Sequence, residues 1–272
     1  MSSRVISFSS GKGGVGKSTL AANLGTLWAR QGANTLLIDG DWALGKLGMM
    51  LGVRPQWTVE NVLSGEIELA RAIHPIRENL SLLASPTGVV GLEELTEGAR
   101  NQLFYEMESL VGTYDRVLFD HSSGVHWGVL QFAAASHQHV IVTTPEPTSY
   151  TDAYAIMKIL SRRFAVRNFS LVVTMDQNRA QTENVISRFA DVARHHLDVR
   201  VSLLDIIPWS PQPAESVCKQ KALVDLFPDS PLTRQFEELR GKIDRDRFQV
   251  KHGLNFFYED IASHNRDEKC PL

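Results

Sequence analysis

Short runs of consecutive apolar residues alternate along this chain with stretches whose apolar residues recur every three or four positions. The first run, Arg4 to Ser9, predicts a strand buried on both faces. Gly11 to Thr19 is glycine-rich, and Leu20, Leu24, Leu27 and Trp28 then take up helical spacing. Gly32 ends that helix, and Thr35-Leu36-Leu37-Ile38 predicts a second strand ending at Asp39, with Gly40-Asp41 at its C-terminal edge. Further strands are predicted at Leu80 to Leu83, Arg116 to Asp120, Val140 to Thr144, Leu171 to Thr174 and Leu203 to Ile207. Helices are predicted over 93–111, 152–164 and 182–196. This alternation predicts an α/β fold: a doubly wound, mostly parallel sheet with helices on both faces. One domain is expected over residues 1–247. A tail, 248–272, follows, in which Leu254, Phe257, Tyr258 and Ile261 share one face of a candidate amphipathic helix over 254–262.

The length of 272 residues is ample for a large core, and 43% hydrophobic residues is ordinary globular composition. Lys and Arg number 28 against 31 Asp and Glu, a net charge of -3, so the chain carries no bulk electrostatic footprint for nucleic acid. Cys218 and Cys270 match neither a metal-ligand spacing nor a disulfide framework, which makes a reducing cytoplasm the expected compartment. No signal-peptide pattern and no run of eighteen apolar residues occurs.

The chemistry concentrates in Gly11-Lys12-Gly13-Gly14-Val15-Gly16-Lys17-Ser18, followed by Thr19. The stretch fits G-x-x-x-x-G-K-[ST] and lies between a predicted strand and a predicted helix. Glycines let backbone N–H groups turn inward around phosphate oxygens, and the helix N-terminus adds its positive dipole end. Lys17 is expected at the β and γ phosphates and Ser18 on Mg²⁺. Asp39 and Asp41 at the second strand's end, and Asp120 at the end of the Arg116 to Phe119 run, stand where an open α/β sheet places ligand-binding groups. The plainer reading of Asp39 and Asp41 is a turn and helix-cap pair. His121 is one of nine histidines scattered without ligand spacing and is expected to be solvated or hydrogen-bonded rather than a base or a ligand.

With Lys12 the loop reads K-G-G-V-G-K-S-T, and here the sequence resembles the deviant Walker A ATPases of the MinD and ParA family. The resemblance implies ATP and ADP as ligands, Mg²⁺ as cofactor, and a homodimer in which Lys12 reaches the partner's nucleotide, unless it is simply a solvated loop lysine. It also implies that Asp41 positions the attacking water, so that Lys12, Lys17 and Asp41 form the catalytic set. Ser18, Asp39 and Asp120 form the metal set by the same resemblance, and Gly124 in Asp120-His121-Ser122-Ser123-Gly124 presents its N–H to the γ-phosphate. Thr174 and Pro208-Trp209 fall where the family contacts adenine; a strand-end threonine and a plain loop are the alternatives. Glu146 and Asp152 are assigned to the dimer interface, or else are helix N-terminal acids. The first switch departs from the usual D-x-D-x-G-x-x-N-L-D: Ala43, Lys46 and Gly48 replace glycine, asparagine and aspartate.

Val142 to Ser149 with Thr151 to Ala155 and Lys158, and Val217 to Val224 with Phe227 to Pro231, are similar to the FlhG (FleN) branch, which controls flagellar number and placement. This implies an ATP-dependent dimerising switch that hydrolyses ATP. Its implied partners are the FlhF GTPase, flagellar switch proteins of the C-ring or a flagellar transcriptional activator, and inner-membrane lipid through the tail helix. The tail carries three basic and four acidic residues from Lys251 on, so lipid attraction by charge is weak, and packing on the domain is the alternative. The rivals are a non-hydrolysing nucleotide-bound scaffold and a ParA-like positioning ATPase that holds DNA or cargo.

Overall fold

The computed structural model describes residues 3–41, 45–85, 97–108, 110, 112–124 and 127–246. Three expectations lie outside them: the Trp42 to Leu44 part of the first switch, the start of the 93–111 helix, and the tail with its amphipathic helix and Cys270. In chain order the elements are β1 (Arg4–Ser9), α1 (Lys17–Arg30), β2 (Thr35–Gly40), α2 (Leu47–Met50), α3 (Val59–Leu63), α4 (Leu69–Ala72), β3 (Ile73–Arg77) and β4 (Leu80–Leu83). They continue with α5 (Glu97–Glu108), β5 (Arg116–His121), α6 (Trp127–Ala135), β6 (Gln138–Thr143), α7 (Pro147–Phe164), β7 (Asn168–Asp176) and α8 (Arg179–Leu197). Last come β8 (Arg200–Pro208), α9 (Gln212–Cys218), α10 (Leu223–Leu226) and α11 (Pro231–Arg245).

The strands form a single eight-stranded sheet in the order β3-β4-β2-β5-β1-β6-β7-β8, parallel throughout except for β3, which runs antiparallel to β4. Every apolar run read as a strand is one, and four of the last five extend beyond their apolar centres. β3 escaped the pattern because His74-Pro75-Ile76-Arg77 is half-buried and polar; a proline is tolerated there because β3 is an edge strand. α6 escaped because Gly128-Val129-Leu130-Gln131-Phe132-Ala133-Ala134 is apolar nearly all round and offers no stripe to recognise. α7 starts five residues before its predicted start, with Pro147 at its first turn.

Strand alternation divides the core between the two faces. Ile6, Phe8, Leu37, Leu118, Val140 and Val172 pack with Leu20, Leu24 and Trp28 of α1 and with Phe236, Leu239 and Ile243 of α11. Val5, Leu36, Ile38, Val117 and Phe119 point the other way, against α3, α4 and α5. Ile141, Leu171, Val173 and Ile206 meet α7 and α8 on that same side. β1 is therefore covered from both faces, and the loop leaving its C-terminal end starts from the rigid centre of the sheet.

The opposite end is tied by Asp244 near the end of α11. Its carboxylate accepts from Trp28 Nε1, Arg116 Nη2 and Arg240 Nη1, each at 3.1 Å, and its carbonyl accepts from Arg4 Nη1 at 2.9 Å. Removing the carboxylate strands three donors, one on the buried indole of Trp28. Asp244→Ala is expected to lower unfolding free energy by about 1–3 kcal/mol. Asp244→Asn, which keeps one acceptor, is expected to lose less; urea unfolding of the two variants beside wild type checks this.

Candidate functional site

The loop Gly11 to Gly16 leaves β1 and feeds directly into α1, whose first residue is Lys17. Gly14 and Gly16 have φ of 79° and 84°, a region that residues with a Cβ enter at a cost, so glycine is needed for the loop to curl. Gly11 is needed for a different reason: a Cβ there would lie 2.3 Å from Asp152 Cβ, because α7 runs against the start of the loop. Thr174 holds the loop from the other side, its buried hydroxyl 2.7 Å from the Val15 carbonyl and 3.2 Å from that of Thr143. The first turn of α1 contains no acidic residue, which leaves its positive end free for an anion.

Lys17 reaches across to Asp120 at the end of β5, with Nζ to Oδ1 at 3.0 Å and both side chains almost wholly buried. Asp39, beside Asp120 in register between β2 and β5, is also buried. Its Oδ1 accepts from the Asp41 N–H at 3.1 Å, and its Oδ2 from the N–H groups of Lys46 at 2.7 Å and Leu47 at 2.9 Å. Burial, and then the charge of Asp120, push the Asp39 carboxyl up to about 7. Asp39 thus closes the first switch loop onto itself and caps α2. Among the metal candidates, Ser18 and Asp120 are the groups with oxygen to offer; the Asp39 oxygens are committed to the backbone, so its support is indirect. A buried carboxylate and a serine hydroxyl are oxygen donors of the kind that suits a hard cation such as Mg²⁺. Among the described residues no group of three or more His, Cys, Asp and Glu is placed to hold a metal.

Lys12 is exposed and forms an ion pair with Glu146, at the N-terminus of α7. Lys46 makes a second surface pair, its Nζ 2.9 Å from Asp41 Oδ2. In this chain, then, the three lysines of the loop and first switch each hold one carboxylate. In the sequence Lys46 stands out only as a departure from the usual asparagine, and nothing in its position announces the contact with Asp41.

Several of the singled-out residues make contacts within the chain that the sequence does not announce. The Gly124 N–H donates to the Ser10 carbonyl at 3.0 Å, so it is spent within the chain and does not stand open to a phosphate. The Thr174 hydroxyl pins the loop and is not directed to a base. Pro208 ends β8 opposite Asp176, and Trp209 follows it, 61% exposed, with its backbone N–H on the Asp176 carbonyl at 2.9 Å. Glu146 pairs with Lys12, and Asp152 stands close against Gly11, so both lie beside the phosphate loop. His121 is neither solvated nor hydrogen-bonded at Nε2: it is buried, stacks on Phe119 with ring centroids 5.6 Å apart, and burial drives it down to about 3.

Comparison with known proteins places the chain in a family. The model of the family described as "ParA: NUBPL iron-transfer P-loop NTPase" matches residues 2–244. The chain belongs to the ParA family of P-loop NTPases. Antiactivator FleN of Pseudomonas aeruginosa is 27% identical, with 96% of this chain and 94% of that one covered. Flagellum site-determining protein YlxH of Helicobacter pylori is 28% identical over 96% of this chain and 90% of its own. The septum site-determining protein MinD of Pyrococcus horikoshii, solved with Mg-ADP, superposes with a TM-score of 0.74 at 27% identity, over 89% of this chain and 96% of that one. The chain is thus a MinD/ParA-type ATPase by family, related to the FleN flagellar regulators. Among the described residues no helix is long and apolar enough to cross a membrane.

Tyr150, on α7 between Glu146 and Asp152, gives a pH-dependent test of this packing. Its hydroxyl is buried without a partner, and burial, then Asp176, raise it to about 12. A folded-state value above the ordinary one means that stability from this group is intact below pH 10 and is lost as pH rises towards 12, by at most about 1.4 kcal/mol per pH unit. Tyr150→Phe is expected to match or exceed wild-type stability at pH 7, by up to about 1 kcal/mol, and to flatten the alkaline decline. Urea unfolding at pH 7, 10 and 11 measures both effects.

Proposed function

We propose that this protein is an ATP-driven dimerising switch that controls flagellar number and placement. The observation carrying the reading is the buried Lys17–Asp120 pair beneath the phosphate loop. A cation and a carboxylate held there in mutual neutralisation can be exchanged, one for phosphate oxygens and the other for a water on Mg²⁺. Mg²⁺, held by the Ser18 hydroxyl and through water by Asp120, would spread the charge of the β and γ phosphates. The Gly11 to Gly16 backbone and Thr19 cradle those phosphates, and Pro208 and Trp209 border the base.

In the ATP state Lys12 exchanges Glu146 for the phosphates of the second protomer, joining two chains across two nucleotides, with Glu146 and Asp152 at the rim of that interface. Asp41 orients a water whose oxygen bonds to the γ-phosphorus as the bond to the β–γ bridging oxygen breaks. The products are ADP and phosphate, the water's proton passing to phosphate. Hydrolysis frees Lys12 and the dimer parts. Residues 1–247 form the ATPase domain, and the 248–272 tail with its 254–262 helix carries the dimer to the cytoplasmic face of the inner membrane, at a cell pole. FlhF, C-ring proteins or a flagellar transcriptional activator are the proposed readers of the two states, in keeping with the FleN and YlxH relatives. Such a switch needs only that ATP favour one of two surfaces over the other.

Solution mass and ATP turnover in one preparation, with and without anionic vesicles, test the reading. ATP is expected to double the mass. Lys12→Ala is expected to stay monomeric with turnover reduced by about a hundredfold or more, and Asp41→Ala to dimerise and persist without turnover. Nucleotide binding by wild type with neither dimer nor hydrolysis would overturn it.

A further inference from the structure

We propose that Lys46 is a built-in brake on hydrolysis, holding Asp41 away from the water it would orient. The inference rests on the ATPase reading above and deepens it. Lys46 and Asp41 are the two ends of the first switch loop, and both backbone N–H groups are fixed by the one buried carboxylate of Asp39. The loop ends are therefore clamped before their side chains are considered, and the ammonium is delivered to Asp41 Oδ2 at 2.9 Å. Asp41 is four-fifths buried in this pair, whereas about half of Lys46 is open to water. A carboxylate committed to an ammonium has one oxygen fewer with which to accept a water's proton in a hydrogen bond, and it carries less negative charge towards that water.

The contact involves only the end of the Lys46 side chain. The Lys46 N–H to Asp39 bond is made by the backbone, so a substitution that keeps the N–H leaves the loop anchor in place. The cation is thus separable from the scaffold that delivers it. A partner that draws Lys46 away, by offering its own carboxylate, would release Asp41 without touching the nucleotide. Lys46 is in this sense a positioning residue, acting on the reaction only through Asp41.

The test compares wild type, Lys46→Met, Lys46→Arg and Asp41→Asn for steady-state hydrolysis and for backbone amide exchange of residues 40–47 in the nucleotide-free protein. Lys46→Met is expected to raise kcat by about two- to five-fold, the range an exposed ion pair commands, with little change in KM. Exchange of the Asp41, Lys46 and Leu47 amides, which Asp39 holds, is expected to stay at the wild-type level in the same variant. Lys46→Arg, which keeps the charge, is expected to hold kcat below that of Lys46→Met, and Asp41→Asn combined with Lys46→Met to abolish the gain. If wild type hydrolyses ATP in an Asp41-dependent way while Lys46→Met is unchanged or slower, the brake is overturned and the ATPase reading stands. If ATP binds but no variant hydrolyses it, both fall. Turnover that appears only in Lys46→Met supports both.

Discussion

A lysine ammonium cannot remain under a phosphate loop without a counter-charge, and much of this site follows from that constraint. Lys17 is placed by the helix that begins at the loop, so its charge is carried into the protein by backbone geometry. Asp120 arrives from β5, the strand paired with β1, and neutralises it at 3.0 Å. Removing either member of such a buried pair costs about 3–5 kcal/mol, because the survivor is left charged and desolvated. Asp39 stands beside this pair, where burial and the charge of Asp120 both raise its carboxyl. The nucleotide-free site is thus held together by charges that a phosphate and a divalent cation can replace.

That exchange gives the molecule its switching logic. Lys12 with Glu146 and Lys17 with Asp120 tie the phosphate loop to α7 and to the end of β5, while Lys46 with Asp41 closes the loop after β2 on itself. The three pairs differ in burial, and so in worth. The Lys17 pair is structural, while the other two are surface contacts of about 0–1 kcal/mol, weak enough for a ligand or a partner chain to undo. Asp39 prevents the surface pairs from loosening the whole region, since it fixes the ends of the loop through backbone N–H groups. Gly124 is a comparable case: its N–H rests on the Ser10 carbonyl, a bond that has to break before it serves a phosphate.

The order of strands and helices was legible wherever an element was buried in a regular way. Arg4 to Ser9 and Leu80 to Leu83 reproduce their predicted bounds because a parallel strand covered on both faces is apolar at successive positions. β3 and α6 were not legible: one is a half-exposed edge with a proline, and the other lacks a polar face. α11 has a clear stripe in Leu232, Phe236, Leu239 and Ile243, and the pattern was there to be read. Within the site the phosphate loop could be read residue by residue, since glycines and a lysine at fixed spacing have few other uses. Thr174 stands near the end of β7, and its hydroxyl donates to the Val15 carbonyl, a long-range contact that no local pattern announces.

The sequence by itself determined the fold class, the loop with Lys12, Lys17 and Ser18, and the carboxylates that face it, because each depends on local spacing and on residue type. Only the tertiary structure decided which lysine holds which carboxylate. Lys12 and Glu146 lie 134 positions apart and Lys17 and Asp120 lie 103 apart. Even Lys46 and Asp41, five apart, meet because Asp39 folds the loop back on itself. Charge pairing depends on distances in space that composition and periodicity do not encode, whereas the curl of a glycine loop and the period of a buried strand are written in consecutive residues.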